Sequence, residues 1–383
     1  MKKVRIAIIG VGGMGNTHAR SMAEIERADL TAVCDIDPRT ADTRAREHGC
    51  KGFYSAKDLL ASRVANAVLI ATPHYAHTTI GIQALKAGMH VLVEKPISAH
   101  KADCKRLIAA HANKRLVFAA MFNQRTDPHY KKIKQLVDSG ELGELTRVSW
   151  IISDWFRTEA YYASGGWRAT WKGEGGGVLL NQCPHNLDLL QWICGMPGSV
   201  RAFCGIGKHH AIEVEDEVTA YLEYPNGATG VLVTSTGEAP GTNRLEICGE
   251  MGKIVLEHGK LTFDRNEIGQ KEFCKTSTER FARPGVHSDT ISVEGTGGQH
   301  LEIIRNFVDA ILDRTPLIAP AAEGIHSVEL ANAMLYSSMI GAPVRLPLNA
   351  ANFRRLLQRL IRESTFEKKT VRKASADDIA KSF

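Results

Sequence analysis

The run Gly10-Val11-Gly12-Gly13-Met14-Gly15 stands between an apolar stretch, Val4 to Ile9, and a helix-forming segment, Asn16 to Ile25. Strand, G-x-G-x-x-G turn and helix in immediate succession form the opening of a dinucleotide-binding βαβ unit. The first glycine permits a tight turn, and Gly12 lets the backbone approach a pyrophosphate. Gly15 allows the helix to pack closely on the sheet, and the helix N-terminus brings partial positive charge to the phosphates. Gly13 and Met14 complete the turn. Asp35 closes the next apolar run about twenty residues after Gly15, where a carboxylate accepts hydrogen bonds from a ribose 2′-hydroxyl. Ile36 follows it at the strand end. An anion at 35 disfavours a 2′-phosphate, so NAD is expected over NADP; Arg39 nearby is the residue that could pair with such a phosphate.

Up to Asn123 the chain alternates short apolar runs with helical patterns. Val4 to Ile9, Leu30 to Cys34, Ala67 to Ala71, His90 to Val93 and Leu116 to Phe122 read as strands. Asn16 to Ile25, Pro38 to His48, His77 to Ala87 and His100 to Ala112 read as helices. This alternation predicts a parallel sheet covered on both faces. Beyond it, Asp127 to Ser139 and Cys183 to Cys194 read as helices around a Gly- and aromatic-rich stretch. Val200 to Ile206, Glu217 to Tyr224, Ala228 to Thr236, Arg244 to Cys248 and Lys253 to Leu256 read as antiparallel strands, with Pro225-Asn226-Gly227 as a hairpin turn. Helices are expected over Gln299 to Leu312 and Ala322 to Met339. The expected division is a nucleotide-binding domain over 1–124, an α+β domain over 125–353 and a basic tail over 354–383.

Composition narrows the class. Apolar residues make up 44% of the 383 and charged residues 23%, as in soluble globular proteins. No run approaches the length of a membrane span, and Ile6 to Ile9 ends at Gly10 too soon for a signal peptide. The eight cysteines form no CxxC pair, which argues for reduced thiols in the cytoplasm and against a zinc site. The net charge is +6, of which +5 lies from Arg354 onward. Such a tail reads as a solvated helix face or frayed end, and neither a nucleic-acid nor a membrane partner is expected.

The glycine turn, Ala71-Thr72-Pro73 with His77, Glu94-Lys95-Pro96, Phe122-Asn123-Gln124-Arg125, and Gly175-Gly176-Gly177 leading to His185 and Asp188 together resemble the Gfo/Idh/MocA oxidoreductases, which include inositol dehydrogenases and glucose–fructose oxidoreductase. The resemblance implies an α/β fold: an N-terminal Rossmann domain and a C-terminal domain on an open, mostly antiparallel sheet through which the chains form homo-oligomers. It implies that Thr72, Pro73, His74, His77, Glu94, Lys95 and Asn123 line the cofactor cleft, with Trp167-Arg168 reaching in from the second domain. It places Lys95, Asn123, Arg125, Tyr162, Asn181 and His185 around the substrate.

Oxidising a secondary alcohol sends a hydride to the nicotinamide and a proton to a base. Histidine suits the proton transfer, and a lysine beside it can hold the oxygen as negative charge develops. The resemblance selects Lys95 and His185 for these roles. Where the family carries an aspartate four residues before the histidine, this chain has Asn181. Asn181 would share a helix face with His185 or sit in the preceding turn; it could orient the imidazole or a substrate hydroxyl but cannot raise the histidine's basicity by charge. His209-His210 with Glu213 and Glu215 reads as a solvated loop, so no metal is expected. Cys183 reads as a wall residue, and Tyr161-Tyr162 and Trp171 as sugar-stacking or packing aromatics. Asn181 to Asp188 and Ser235 to Gly241 resemble a branch that oxidises the C3 hydroxyl of glucosides. The expected function is NAD-dependent oxidation of a sugar or glycoside hydroxyl; the alternatives are a glycosidase using NAD transiently, or a non-catalytic sugar or NAD sensor.

Overall fold

The computed structural model describes residues 3–368. Its first sheet comprises β1 (Val4–Ile9), β2 (Ala28–Cys34), β3 (Lys51–Phe53), β4 (Ala67–Ile70), β5 (His90–Val93) and β6 (Phe118–Ala120), with α1 (Gly13–Ser21), α2 (Pro38–His48), α3 (Ala56–Ser62), α4 (His74–Lys86) and α5 (Lys101–Ala110) between them. Every pairing is parallel and the order is β3-β2-β1-β4-β5-β6. All four residues of β4 are buried, as a strand covered by helices on both faces requires. The chain leaves β1 toward β2 on one side and returns to β4 on the other. A crevice therefore opens at the carboxyl ends of β1 and β4.

Local signals set the helix limits. Asp37 accepts the Arg39 N–H, Pro38 occupies the first turn, and Gly49 ends α2 at φ 63°, so this helix coincides with its expected span. α1 starts at Gly13 because the end of the glycine turn is wound into its first turn, and α4 starts at His74, behind Pro73. The short edge strand β3 and helix α3 were not anticipated: Lys51-Gly52-Phe53 is too short and too polar to signal a strand.

The second half contains α6 (Pro128–Asp138), β7 (Leu145–Ile152), α7 (Glu159–Ala163), α8 (Pro184–Cys194), β8 (Ser199–Ile206), β9 (Glu215–Glu223), β10 (Thr229–Ser235), β11 (Asn243–Gly249), β12 (Gly252–Glu257) and β13 (Lys260–Asn266). Then come α9 (Gln270–Thr276), β14 (Val286–Ile291), α10 (Gln299–Asp313), α11 (Gly324–Ile340), β15 (Val344–Arg345) and α12 (Ala350–Glu363). Nine strands form one sheet in the order β14-β13-β12-β11-β7-β10-β9-β8-β15, antiparallel except for the β7–β10 pair. Unanticipated β7 lies in its middle, although its alternation of buried Val148, Trp150 and Ile152 is a strand signal. Leu187 and Leu190 of α8 and Leu330 and Met334 of α11 pack against Trp150, Leu222, Leu232 and Phe263 of the inner face. Among the described residues no helix is long and apolar enough to cross a membrane.

Two features depart from the expected division. Ile303, Ile304 and Phe307 of α10, with Ala319 and Ala321, join the core of the first sheet, so that body is completed by residues far beyond 124. And 354 starts no tail: α12 runs through it, capped by Asn349 and burying Phe353, Leu356 and Leu357. Its basic residues are the outer face of a packed amphipathic helix; the expected tail beyond 368 lies outside the described residues.

Arg125, expected at the substrate, is instead a structural tie. It follows β6 in a short 3₁₀ turn and is 1% exposed. Its Nε and Nη2 each donate to Asp188 on α8 at 2.7 Å, and Nη1 donates to Glu323 at 2.5 Å and to the Ile318 carbonyl at 3.3 Å. Such a buried guanidinium is committed to joining three segments. Removing it strands the Asp188 carboxylate. Arg125→Met should therefore lower unfolding free energy by about 3–5 kcal/mol, while Arg125→Met/Asp188→Leu should cost less than the single change. Urea unfolding of both checks this, and unchanged stability in the single variant would refute it.

Candidate active site

The glycine turn closes over the carboxyl end of β1. Gly10 has φ +85°, and a Cβ there would sit 2.6 Å from the Ala71 carbonyl oxygen. A Cβ on Gly15 would fall 1.8 Å from the Gly10 carbonyl oxygen, so only glycine lets α1 pack this closely. At Gly12 a Cβ would meet nothing within 4 Å. That opening lies in front of the first-turn N–H groups of α1 and fits a pyrophosphate. Asp35 braces the turn, its Oδ2 accepting the Val11 N–H and its Oδ1 the Asp37 N–H, both at 3.0 Å. Ile36 beside it is 92% exposed.

The neighbouring strand ends supply the rest of the cleft. Thr72 Oγ1 and Asn123 Oδ1 are buried without a hydrogen-bond partner, while Asn123 Nδ2 donates to Gln299 at 2.7 Å. Such orphaned atoms are satisfied when a polar ligand enters. Together with the Gly12 opening they fit a bound dinucleotide. His77 serves the cleft indirectly: its ring nitrogens meet the Thr72 carbonyl at 2.6 Å and the Pro96 carbonyl at 2.8 Å, pinning two of the loops. His74 Nδ1 meets the Glu174 carbonyl at 3.2 Å, and its ring lies edge-on to Trp167.

Glu94 ends β5. Its Oε1 pairs with His18 Nε2 at 2.7 Å and its Oε2 accepts the Lys95 N–H at 3.0 Å. Burial works against its charge, but the His18 hydrogen bond and the nearby His18, His300 and Lys95 hold its carboxyl at about 2. Lys95 Nζ donates to the Asn181 main-chain oxygen at 2.9 Å. Burial lowers the Lys95 pKa, with Glu94 and Glu174 opposing and Arg168 and Arg157 assisting. His185, on the first turn of α8, is 4% exposed, and neither ring nitrogen has a partner. Burial, then Lys95 and His300, push its pKa well below the ordinary value, so the ring is neutral. His300, partly buried, is depressed to about 4, chiefly by desolvation.

Asn181 lies before α8, not on it. Its Nδ2 donates to Glu174 Oε1, and its Oδ1 accepts from Tyr161 at 3.1 Å and Gln182 at 3.3 Å; its side chain orients neither His185 nor an open face of the cleft. Arg168 stacks over Tyr161 and Trp167, with its guanidinium carbon 4.3 and 4.9 Å from the ring centroids. Tyr162, expected at the substrate, points the other way: its hydroxyl meets Thr236 at 2.7 Å and its ring packs on His210. Its neighbour Tyr161 is the one that meets Asn181, Arg168 and Gln182. His210, expected in a solvated loop, is buried, with Nδ1 on Asp216 and Nε2 on the Arg157 carbonyl. Cys183 is buried against Thr234 and its thiol is pushed up to about 12 by burial. Sequence reasoning missed Glu174, His18 and His300; Glu174 adjoins the Gly175-Gly176-Gly177 run, while His18 and His300 carry no local motif.

Residues 4–122 match the model of the oxidoreductase family with an NAD-binding Rossmann fold, and residues 130–255 match the GFO/IDH/MocA C-terminal domain. The chain belongs to the Gfo/Idh/MocA oxidoreductase family. Its Rossmann domain binds NAD, and it is an oxidoreductase. Among curated members, myo-inositol 2-dehydrogenase of Thermotoga maritima is 28% identical over 276 residues, 68% of this chain and 77% of the relative. Levoglucosan dehydrogenase of Pseudarthrobacter phenanthrenivorans is 25% identical over 332 residues, 78% of this chain and 83% of the relative. Among solved members, the WlbA dehydrogenase of Bordetella pertussis, in complex with NADH and UDP-GlcNAcA, has a TM-score of 0.77 at 25% identity and covers 91% of this chain and 100% of its own.

The glycines of this Gfo/Idh/MocA member make separable contributions. Gly12→Ala should leave the melting temperature within a few degrees of the native value while weakening NAD, because its Cβ enters only the ligand's space. Gly15→Ala should lower both, since its Cβ meets main chain. Thermal melts with NAD titrations decide this, and equal loss of stability in the two would refute the assignment of Gly12.

Proposed function

We propose that this enzyme oxidises a secondary hydroxyl of a sugar, cyclic polyol or glycoside, with Lys95 holding the hydroxyl oxygen and His185 taking its proton. The observation that carries this reading is His185: a buried neutral imidazole, both nitrogens unpartnered, beside Lys95 at the carboxyl end of β5. Such strand ends are where doubly wound sheets bind ligands. NAD, when bound, supplies the hydride acceptor. The N–H groups of Gly12, Gly13 and Met14 would hold its pyrophosphate, Asp35 its ribose hydroxyls and Ile36 the adenine face. Thr72, Pro73 and Asn123 would border it toward Lys95, and Trp167 and Arg168 would cover it from the second half.

The chain's own groups divide the work on the substrate. Lys95 spends one N–H on Asn181 and has two left for the substrate oxygen. It thereby stabilises the negative charge that develops as the hydroxyl proton leaves. Neutral His185 accepts that proton. The C3 hydroxyl of a glucoside is the position favoured by the resemblance of Asn181 to Asp188 and Ser235 to Gly241, and the levoglucosan dehydrogenase relative supports a sugar substrate. The outer face of the nine-stranded sheet exposes Ile151, Phe203, Tyr221 and Val231, with Phe203 at 62%. An apolar patch on an open sheet fits a second copy of this chain.

Incubation with a panel of polyols, sugars, glycosides and nucleotide sugars, read by mass spectrometry, should reveal a product two hydrogens lighter that requires NAD. Cleaved glycoside without net oxidation would replace this reading with a glycosidase. Lys95→Ala and His185→Ala should each lower turnover about 10²–10⁴-fold with NAD titration little changed; normal turnover in both would displace the site. Because the folded-state pKa of His185 is depressed, the base form persists as pH falls past 6.5. The acidic limb of kcat/KM for oxidation should accordingly lie below 6.5, and a limb above 7 would reject His185 as the base.

A further inference from the structure

A carboxylate that the mechanism above does not use lies behind Lys95. Glu174 is 1% exposed. Its Oε2 accepts the Ala169 N–H at 2.6 Å and its Oε1 accepts Asn181 Nδ2. Both donors are neutral, and a buried carboxylate held only by neutral donors is costly unless cations stand nearby. They do. Arg168, Lys95 and Lys368 all act electrostatically on it or feel its charge. Lys368 is itself anchored on the carbonyls of Gly165 at 2.5 Å and Arg168 at 3.1 Å.

The hydrogen bonds run in one direction only. Glu174 can accept but not donate, so the Asn181 amide must present its NH₂ to it. Asn181 Oδ1 then faces Tyr161 and Gln182, which must donate. Arg168 Nη1 donates to the Tyr161 oxygen at 2.5 Å and Gln182 Nε2 does so at 2.9 Å, leaving the phenolic hydrogen for Asn181. Guanidinium, phenol, amide and carboxylate thus form an ordered chain with a cation at one end and an anion at the other. The main-chain oxygen of the same Asn181 receives Lys95 Nζ.

We propose that Glu174 is a positioning carboxylate for the reaction, fixing Asn181 so that its main-chain carbonyl aims Lys95 at the substrate. This rests on the roles given to Lys95 and His185. The charge of Glu174 also favours the ammonium form of Lys95. Around Glu174 stand Lys95, Arg168 and Lys368 as cations, Tyr161 and Asn181 as polar partners, Glu215 of β9 as a like charge and His74 of α4 on its main-chain oxygen. Around Lys95 stand Glu94, Arg168, Arg157, Glu174, His185 and His300, with His74 and His77 of α4. Burial raises the Glu174 pKa, with Arg168 foremost among the groups opposing it.

The test moves the charge from one residue to its hydrogen-bond partner and keeps the bonds. Glu174→Gln removes the anion and leaves too few acceptors for Ala169 and Asn181. Asn181→Asp sets two carboxylates face to face, one of which must hold a proton. In Glu174→Gln/Asn181→Asp, the amide introduced at position 174 accepts the Ala169 N–H and donates to the carboxylate introduced at position 181, which still accepts from Tyr161 and Gln182. Two readouts are needed: kcat/KM against pH with a sugar found in the screen, and the Lys95 pKa from competitive acetic anhydride labelling, read by mass spectrometry without substrate. Glu174→Gln should lower kcat/KM about 10–100-fold and move the alkaline limb and the Lys95 pKa down by about one unit. The double variant should regain most of both. The proposal is overturned if Glu174→Gln leaves the Lys95 pKa unmoved, or if the double variant is no better than the worse single one. Should Glu174→Gln fail to fold, the double variant, whose hydrogen bonds are complete, still decides. A native protein that oxidises no sugar would refute the proposed function, while the labelling result would still judge Glu174.

Discussion

The buried ion pair between Arg125 and Asp188 sets the geometry on which the cleft depends. Arg125 stands two residues after Asn123, in the 3₁₀ turn that follows the last strand of the first sheet, and Asp188 lies one turn beyond His185 on α8. Two parallel N–H···O bonds at 2.7 Å fix the helix that carries His185 against the body whose sheet carries Lys95. The Glu323 and Ile318 contacts of the same guanidinium bring in the segment leading to α11. An ion pair this deep gains little net stability over apolar packing, but its planar, bidentate form allows few relative placements of the groups it joins. In this chain it serves registration: it ties the segment after β6 to α8, alongside the Lys95–Asn181 bond and the Phe122–His185 ring contact.

Burial then tunes the groups so placed. The same dry surroundings lower the pKa of both His185 and Lys95, because each is a base whose charged form loses water. The two outcomes differ through their neighbours. His185 has Lys95 and His300 beside it, with Glu94 as its one favourable charge, and it stays neutral. Lys95 lies between Glu94 and Glu174, which oppose its neutralisation. The roles proposed for the two residues, proton acceptor and oxygen holder, call for this separation by environment, which is how paired acid–base groups take opposite roles near neutral pH.

Much of this was legible in the sequence, for physical reasons that also mark where legibility ends. The glycine turn could be read because each glycine answers a local requirement, a positive φ at Gly10, open space at Gly12 and backbone contact at Gly15. The limits of α2 could be read because Asp37, Pro38 and Gly49 act within one turn of themselves. Tyr161 and Tyr162 could not be told apart: neighbours on the short helix α7 face different directions, and only the positions of Asn181 and Thr236 in three dimensions decide which meets Asn181. Arg125 was placed correctly along the chain and wrongly in role, since its partners lie 63 and 198 residues away. The basic stretch from Arg354 looked like a tail because its charges outnumber Phe353, Leu356 and Leu357, the residues that bury it.

The departure at Asn181 shows how little a single aligned position says about charge. Read as a substitution, asparagine for aspartate removes an anion from the neighbourhood of the base. In the folded chain the side chain of residue 181 faces Glu174, and a carboxylate there would meet another carboxylate. Asparagine is the residue that fits, because one end of its amide donates to an anion while the other accepts from a phenol and an amide. The negative charge near Lys95 is present all the same, carried on the segment before Gly175 and buried. In this chain the anion and the ordered hydrogen bonds that lead from it to the lysine come from Glu174 and Asn181 together.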